Sequence, residues 1–282
     1  MGSVGAAVAV RGLVKRYGSL AAVDGVDLEV ETGEIFSILG PNGAGKSTTV
    51  EILEGYRQRD SGEVSVLGVD PSANRAEWRA RIGVVLQSSK MPDELTVREC
   101  VRQYAGFYAN SRDPEEVIGA VGLTDKATTR VKRLSGGQQR RLDVAVGVIG
   151  RPELLFLDEP TTGFDPEARR QFWQLIRSLR DEGTTVLLTT HYLDEAEALA
   201  DRVAVLVKGR LVALAPPLEL GGRAEADARV AWIENGVRRE ISTAEPTRTV
   251  AELSVRLGGE IPGLTVTRPS LEDVYLSLMG DL

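Results

Sequence analysis

A glycine-rich run near the start of the chain fits the phosphate-loop pattern G-x-x-x-x-G-K-[ST]: Gly40-Pro41-Asn42-Gly43-Ala44-Gly45-Lys46-Ser47. Its glycines let the backbone turn tightly, so that amide N–H groups and a helix N-terminus can point at a phosphate. Lys46 supplies a positive charge between the outer phosphates, Ser47 a hydroxyl for Mg²⁺, and Thr48 a contact to an inner phosphate oxygen. The alternative is an ordinary glycine-rich turn. Because the apolar run Ile35–Leu39 precedes the loop and helix formers follow it, the segment predicts a nucleoside triphosphate site.

Two carboxylates and the only histidine stand at the ends of two further apolar runs. Asp158 and Glu159 follow residues 154–157, which are typical of a buried strand in a parallel sheet. Asp158 is placed to join a Mg²⁺ shell and Glu159 to polarise an attacking water; the alternative is a pair of solvated acids. His191 closes the β-branched run 184–190. A single histidine is usually structural or on the surface, but open α/β folds bind ligands at this end of a strand.

Three further features have two interpretations each from the residues alone. Tyr17 lies in a turn, where an aromatic ring can stack on a base or pack half-buried on the surface. Gln87 ends the run 82–86, where a glutamine is either solvated or senses a γ-phosphate. The sequence Ser135-Gly136-Gly137-Gln138 precedes a helical run and predicts either a second anion-binding helix end or only a well-capped helix.

The segments around these residues show hydrophobic patterns that are typical of strands and of helices. Alternating runs at 7–13 and 26–30 predict an antiparallel start. Short β-branched runs at 63–67 and 82–86 predict strands that return to one sheet with Ile35–Leu39. The scheme is therefore an α/β fold.

A helical insertion and a C-terminal appendage complete the organisation. Between Thr96 and Leu123 the apolar spacing predicts two amphipathic helices within a helical subdomain at about 90–150, and their aromatic stripe is expected in the core. The residue pattern of the sequence changes after Gly222. It predicts a ββαβα appendage over 223–282, made of a hairpin with the turn Asn235-Gly236, a helix, a strand and a last helix.

The amino-acid composition argues for some classes of protein and against others. The 282 residues are 42% hydrophobic and 27% charged, which is typical of a globular protein in water. A net charge of −7 and a pI near 5.1 argue against a nucleic-acid-binding surface. The lone Cys100 favours a reducing, cytoplasmic setting. With no signal-peptide pattern and no apolar run near the roughly 18 residues of a membrane span, any work on a membrane requires another chain to span it.

Taken together, the motifs resemble those of the nucleotide-binding subunit of ATP-binding-cassette transporters, in the family's order, over residues 6 to about 222. The resemblance implies a P-loop ATPase core at 6–222 that binds ATP and Mg²⁺, with an accessory subdomain at 223–282. It makes Tyr17 the adenine-stacking aromatic, Gln87 the Q-loop residue, Leu134–Gln138 the signature and His191 the switch histidine. Phe164 departs from the pattern, since the family commonly has leucine beside the D-loop Asp165.

The resemblance also implies a role for each matching residue. Hydrolysis is assigned to four residues, Lys46, Gln87, Glu159 and His191, and Mg²⁺ to Ser47, Gln87 and Asp158. ATP contacts are assigned to Tyr17, Gly40, Pro41, Asn42, Gly43, Ala44, Gly45, Lys46, Ser47, Thr48, Ser135, Gly136, Gly137, Gln138 and Asp165.

Assembly follows from the same resemblance. Two such domains close head to tail, so that Ser135 and Gly137 of one chain cap the phosphates bound by Lys46 of the other. A homodimer is expected, or a heterodimer with another ATPase chain, docked on a separate transmembrane permease at the inner face of the cell membrane. Residues 268–276 and 188–197 look like those of daunorubicin-resistance-type exporters, which move drugs, antibiotics or lipids.

Two other functions are alternatives to transport. A cassette protein that acts on nucleic acid or ribosomes usually carries two cassettes or a long coiled coil, whereas this chain has one cassette, no heptads and an acidic pI. A binding module without catalysis would lack the acid or the histidine, and both Glu159 and His191 are present.

Overall fold

The computed structural model describes residues 5–86, 91–223 and 225–280. The chain divides into two compact units, Met1–Val212 and Ala213–Leu282. The first contains, in order, β1 (Ala6–Tyr17), β2 (Leu20–Glu31), β3 (Ile35–Leu39), α1 (Lys46–Leu53), β4 (Ser61–Val66), α2 (Ala76–Arg79), β5 (Ile82–Val85), α3 (Val97–Ala105), α4 (Pro114–Ala120), α5 (Gly136–Val148), β6 (Leu154–Asp158), α6 (Pro166–Asp181), β7 (Thr185–Thr190), α7 (Leu193–Leu199) and β8 (Arg202–Val207). Strand β9 (Arg210–Ala215) crosses the division, and β10 (Ala228–Glu234), β11 (Val237–Thr243), α8 (Pro246–Leu257), β12 (Thr265–Thr267) and α9 (Leu271–Gly280) follow.

A six-stranded sheet in the order β5-β6-β7-β3-β8-β9 forms the centre of the first unit. The pairings along the order β5-β6-β7-β3-β8 are parallel, and every residue of β3 and β7 is buried, as is typical of parallel strands that are covered on both faces. The two-residue turn Lys208-Gly209, with φ of 48° and 80°, fits antiparallel neighbours and makes the sheet mixed. Leu39 pairs with Thr190 and Asp158 with Thr189, so the segments that follow β3, β6 and β7 leave one edge of the sheet.

The strand predicted at 63–67 exists as β4, but its predicted sheet is wrong. It pairs with β1 in a separate antiparallel sheet of order β2-β1-β4. Only alternate residues of β4 are buried near its end, the pattern of a strand with one exposed face, whereas three of the four residues of β5 are buried. Short apolar runs alone do not distinguish these two environments.

The helical insertion between β5 and β6 is confirmed. Helix α3 begins with a capping box between Thr96 and Glu99, and α4 has Pro114 in its first turn. Tyr104 and Tyr108 pack against the core as predicted. Phe107 is 72% exposed, contrary to the prediction, because α3 ends at Ala105 and the helical spacing no longer applies beyond it.

The second unit has the predicted ββαβα order after Gly222. Its sheet runs β11-β10-β12, and Asn235-Gly236, with φ of 53° and 76°, forms the hairpin turn. Val230 and Trp232 of β10 pack with Leu253 and Ile261 in a small core. The division between the units lies upstream of the predicted boundary at Gly222.

None of the helices in the described parts of the chain is both long enough and apolar enough to cross a membrane. The longest of them, α6, has 16 residues and carries several charges.

Candidate active site

The phosphate loop leaves the C-terminal end of β3 and enters α1, in the strand–loop–helix context that its sequence predicts. Gly45 is the N-cap of α1 with φ of 101°, and a Cβ there would collide with the Ala22 carbonyl oxygen. A Cβ at Gly40 would collide with the Leu206 carbonyl oxygen. Within the described residues no side chain caps α1, so its first N–H groups are available to an anion.

The Lys46 side chain is buried at the mouth of this loop. Its ammonium donates hydrogen bonds to the carbonyl oxygens of Gly40 at 2.8 Å and Pro41 at 3.3 Å. The Nζ atom also lies 3.6 Å from Glu159 Oε1. A buried cation requires such partners, and they hold its charge beside the loop amides, where a phosphate would meet it.

Thr189 of the neighbouring strand β7 forms hydrogen bonds with both acidic residues at the end of β6, Asp158 and Glu159. The Thr189 hydroxyl donates a hydrogen bond to Asp158 Oδ1. The Glu159 N–H donates to the carbonyl oxygen and to Oγ1 of Thr189, each at 3.1 Å. Glu159 has a left-handed backbone with φ of 43°, which is uncommon for a residue with a Cβ and typical of functional positions.

The Glu159 carboxylate lies between Lys46 and His191. Its Oε2 atom is 3.2 Å from His191 Nδ1, and its side chain is only 11% exposed. The His191 ring packs on the Tyr192 ring, with 4.1 Å between their centroids. The Arg169 guanidinium lies over the Tyr192 ring, 4.8 Å from its centroid. The parallel register of β6 and β7 therefore brings the predicted acid and the predicted histidine into contact.

Ser47 and Asp158 have the chemistry that a magnesium site requires. Mg²⁺ prefers oxygen ligands and is commonly held by one or two carboxylates together with substrate phosphates and water. In the described parts of the chain, no group of three or more His, Cys, Asp or Glu residues could hold a metal. The pKa of nearby Glu54 is raised to about 8, mainly by burial and further by the negative charges of Asp158 and Glu51.

Tyr17 and the phosphate loop line one cavity of about 490 Å³. Its lining comprises Tyr17, Leu20, Ala22, Asn42, Gly43, Gly45, Lys46, Ser47, Thr48 and Glu159. Tyr17 is 41% exposed, and the cationic groups of Arg57 and Lys15 lie 5.4 and 5.6 Å from its ring centroid. An aromatic ring and a phosphate-binding loop that line one cavity of this size suit a nucleotide.

The residues predicted to cap the phosphates line a different cavity, of about 420 Å³. It contains Ser135, Gly136, Gly137, Gln138, Gly163, Phe164 and Asp165. Ser135 and Gln138 form a capping box at the start of α5, and the Asp165 carboxylate accepts hydrogen bonds from two amides of α6. Phe164 packs edge-on against Phe172 with centroids 5.6 Å apart. As described, the two cavities have no lining residue in common.

Two further predicted residues are Gln87 and Ala44, and one residue near the acids, Thr189, was not predicted. Gln87 lies outside the described residues. Ala44, within the phosphate loop, is buried. Thr189 was missed by sequence reasoning, although its position two residues before His191 could have indicated that it faces the acids of the paired strand.

Comparison with known proteins supplies the relatives of this chain. Residues 23–162 match the model of the ABC transporter family. The chain is 40% identical to the daunorubicin/doxorubicin resistance ATP-binding protein of Streptomyces peucetius, over 97% of this chain and 92% of that protein. It is 39% identical to the Nod factor export ATP-binding protein I of Rhizobium sp. (strain N33), over 97% of each.

Solved structures agree with these relatives. An ATP-binding subunit of an ABC transporter shares the fold over 96% of this chain and 99% of its own, with a TM-score of 0.72 and 22% identity. A dimeric post-hydrolysis cassette bound to ADP and Pi covers 74% of this chain and 98% of its own, with a TM-score of 0.67 and 26% identity. The chain therefore belongs to the ABC transporter family, as one of its ATP-binding, ATP-hydrolysing subunits.

Proposed function

We propose that this chain is the ATPase of an exporter and acts with a separate transmembrane permease at the inner, cytoplasmic face of the cell membrane. The names of its relatives support this proposal, since one is a drug resistance protein and another a Nod factor export protein. The cargo would then be a drug, an antibiotic, a lipid or a similar molecule. A nucleic-acid or ribosomal partner remains the alternative and is disfavoured by the net charge of −7.

The contact of Glu159 with both Lys46 and His191, in a cavity shared with Tyr17, carries the assignment of the nucleotide site. Tyr17 would stack on adenine, while the loop amides and Lys46 hold the phosphates. Ser47 and Asp158 would hold Mg²⁺, with Gln87 as a further contact. Bound Mg²⁺ supplies positive charge that stabilises the transferring phosphoryl group.

Glu159 would act as the group that orients and polarises the attacking water. Its carboxylate is nearly enclosed and is held from two sides, by the ammonium of Lys46 and the imidazole of His191. A carboxylate fixed in this way keeps its acceptor oxygens in one place, which favours proton abstraction from a water beside the phosphate. His191 would keep the carboxylate in this position during turnover.

The complete site would be shared between two chains. Ser135 and Gly137 line a cavity separate from that of Lys46, and one related cassette of known structure is dimeric. In a head-to-tail pair, the signature of each chain would cover the phosphates that the other chain binds. The catalytic domain in this assignment spans 6–222, with its helical subdomain at about 90–150, and 223–282 form the accessory subdomain.

Membrane flotation tests the exporter assignment. We expect the chain to float with native membranes and to leave them when the gene of its permease is deleted. The matched control is a strain in which an unrelated permease is deleted. A chain that stays in the soluble fraction in all strains, or that co-sediments with ribosomes, would contradict the assignment and favour the alternative partner.

A further inference from the structure

Arg140 is a buried arginine on the helix that begins at the signature, and its guanidinium donates to three backbone carbonyl oxygens on two segments of the chain. The residue is 7% exposed. Its Nε donates to the Pro160 carbonyl oxygen at 3.0 Å and its Nη2 to the Asp158 carbonyl oxygen at 2.7 Å. Its Nη1 donates to the carbonyl oxygen of Leu86, directly after β5. Each guanidinium nitrogen is therefore used on a main-chain acceptor.

Two of these acceptors flank Glu159. Asp158 and Pro160 are its neighbours in the chain, and Glu159 itself has the left-handed φ of 43°. Such a conformation persists where the surrounding structure fixes it from more than one side. Thr189 holds the Glu159 amide from β7, whereas Arg140 holds the carbonyl before it and the carbonyl after it from α5.

An arginine is well suited to hold the carbonyl oxygens on both sides of Glu159. A guanidinium is planar and presents several N–H donors in fixed directions, whereas a lysine ammonium acts as a point charge on a flexible stem. Burial lowers the pKa of Arg140, and nearby carboxylates, with Asp143 the strongest, oppose the shift. Burying a cation is costly unless it is fully hydrogen-bonded. The three carbonyl contacts and the Asp143 carboxylate, whose Oδ2 lies 3.8 Å from Nη1, offset much of that cost.

We propose that Arg140 is a positioning residue for hydrolysis, which fixes the backbone turn at Glu159 and thereby the place of the Glu159 carboxylate. This inference rests on the proposed role of Glu159 as the group that polarises water. It assigns to the signature helix a second task besides its contact with nucleotide, because the same helix, five residues after Ser135, supports the acid of its own chain.

Substitution of Arg140 in the full-length chain tests the proposal. We expect Arg140→Ala to lower kcat by up to about 100-fold, since misplacing a catalytic group by about 1 Å has that effect. Equilibrium ATP binding and KM should change little, because the phosphates are held by Lys46 and the loop amides. Arg140→Lys should give an intermediate kcat, and it carries the test if the alanine variant proves unstable.

Rescue by free guanidinium ion separates positioning from general stability. Millimolar guanidinium should restore kcat of Arg140→Ala several-fold by donating to the same carbonyls. The matched control is Arg112→Ala, which removes an arginine of similar burial, 12% exposed, that pairs with Glu182; guanidinium should not change its kcat. A normal kcat in folded Arg140→Ala, or parallel losses of kcat and ATP binding without rescue, would overturn the proposal.

The Glu159→Gln variant distinguishes failure of this inference from failure of the assignment beneath it. Turnover that survives in Glu159→Gln would overturn the role of Glu159 itself. Turnover that is lost in Glu159→Gln but normal in Arg140→Ala would leave Glu159 in place and overturn the role of Arg140 alone.

Discussion

Glu159 combines a strained backbone with a carboxylate held between two cationic or polar partners. A non-glycine residue in the left-handed region costs about 1–3 kcal/mol, and proteins keep such residues mainly where function needs them. Here Lys46 approaches one carboxylate oxygen at 3.6 Å and His191 the other at 3.2 Å. The geometry holds the carboxylate in place without its having to bind the nucleotide directly.

The Glu159→Gln variant is therefore expected to separate binding from hydrolysis. Replacement of the carboxylate by an amide should lower kcat by at least about 100-fold, because general base catalysis commonly contributes 10²–10⁴-fold. ATP affinity should be kept or increased, since the change removes a negative charge beside the phosphates. Phosphate release and equilibrium ATP binding measure the two effects separately.

Glu77→Gln is the matched control, because Glu77 is an exposed acid on α2 and should leave both quantities unchanged. Near-normal phosphate release by the Glu159 variant would remove this residue from the mechanism.

Sequence reasoning located residues that belong to local motifs. Lys46, Glu159 and His191 could be predicted because each stands at a fixed place after an apolar strand, and the structure does bring their side chains together. Thr189 and Arg140 could not be predicted in the same way. Their contacts depend on strand register and on the packing of α5 against the end of β6, which no short motif records.

At the scale of elements, strand positions were easier to predict than strand partners. The runs that became β3, β4 and β5 were all expected to be strands, yet β4 joins the small antiparallel sheet. The hydrophobic pattern of a strand indicates how its residues are buried, whereas the strand that it pairs with depends on distant segments such as β1. Phe107 was misplaced for a related reason, since the end of α3 decides which face it occupies.

Strand β9 determines where we expect that the proposed catalytic domain can be truncated. It occupies the edge of the six-stranded sheet, and the division between the compact units falls inside it, between Val212 and Ala213. A chain ending at Gly222 keeps the whole strand and should bind ATP with the affinity of the full chain. A chain ending at Val212 loses half of β9, and its Tm should fall by about 2–4 °C for each kcal/mol of stability lost.

Isothermal titration with ATP and thermal unfolding of both truncated chains provide the measurement. Loss of ATP binding by a folded chain that ends at Gly222 would show that residues 223–282 belong to the catalytic domain.

At the scale of the whole molecule, the chain carries two separate parts of one proposed site. The cavity with Lys46 and the cavity with Ser135 are lined by different described residues. Interactions that form only when two chains close on bound ATP would then drive the closure. The proposed site therefore requires a dimer in which each site takes the phosphate loop from one chain and the signature from the other.

Mixing two inactive variants tests this claim most directly. Lys46→Ala removes the phosphate-binding charge, and Ser135→Arg fills the signature cavity with a bulky cation, so each variant alone should lack ATPase activity. In a mixed dimer one site has both residues intact, and an equal mixture with random exchange should recover roughly a quarter of wild-type activity. Tagged chains verify the exchange, and thermal unfolding verifies that both variants are folded. ATPase activity that stays at the level of the separate variants, with exchange verified, would contradict the account.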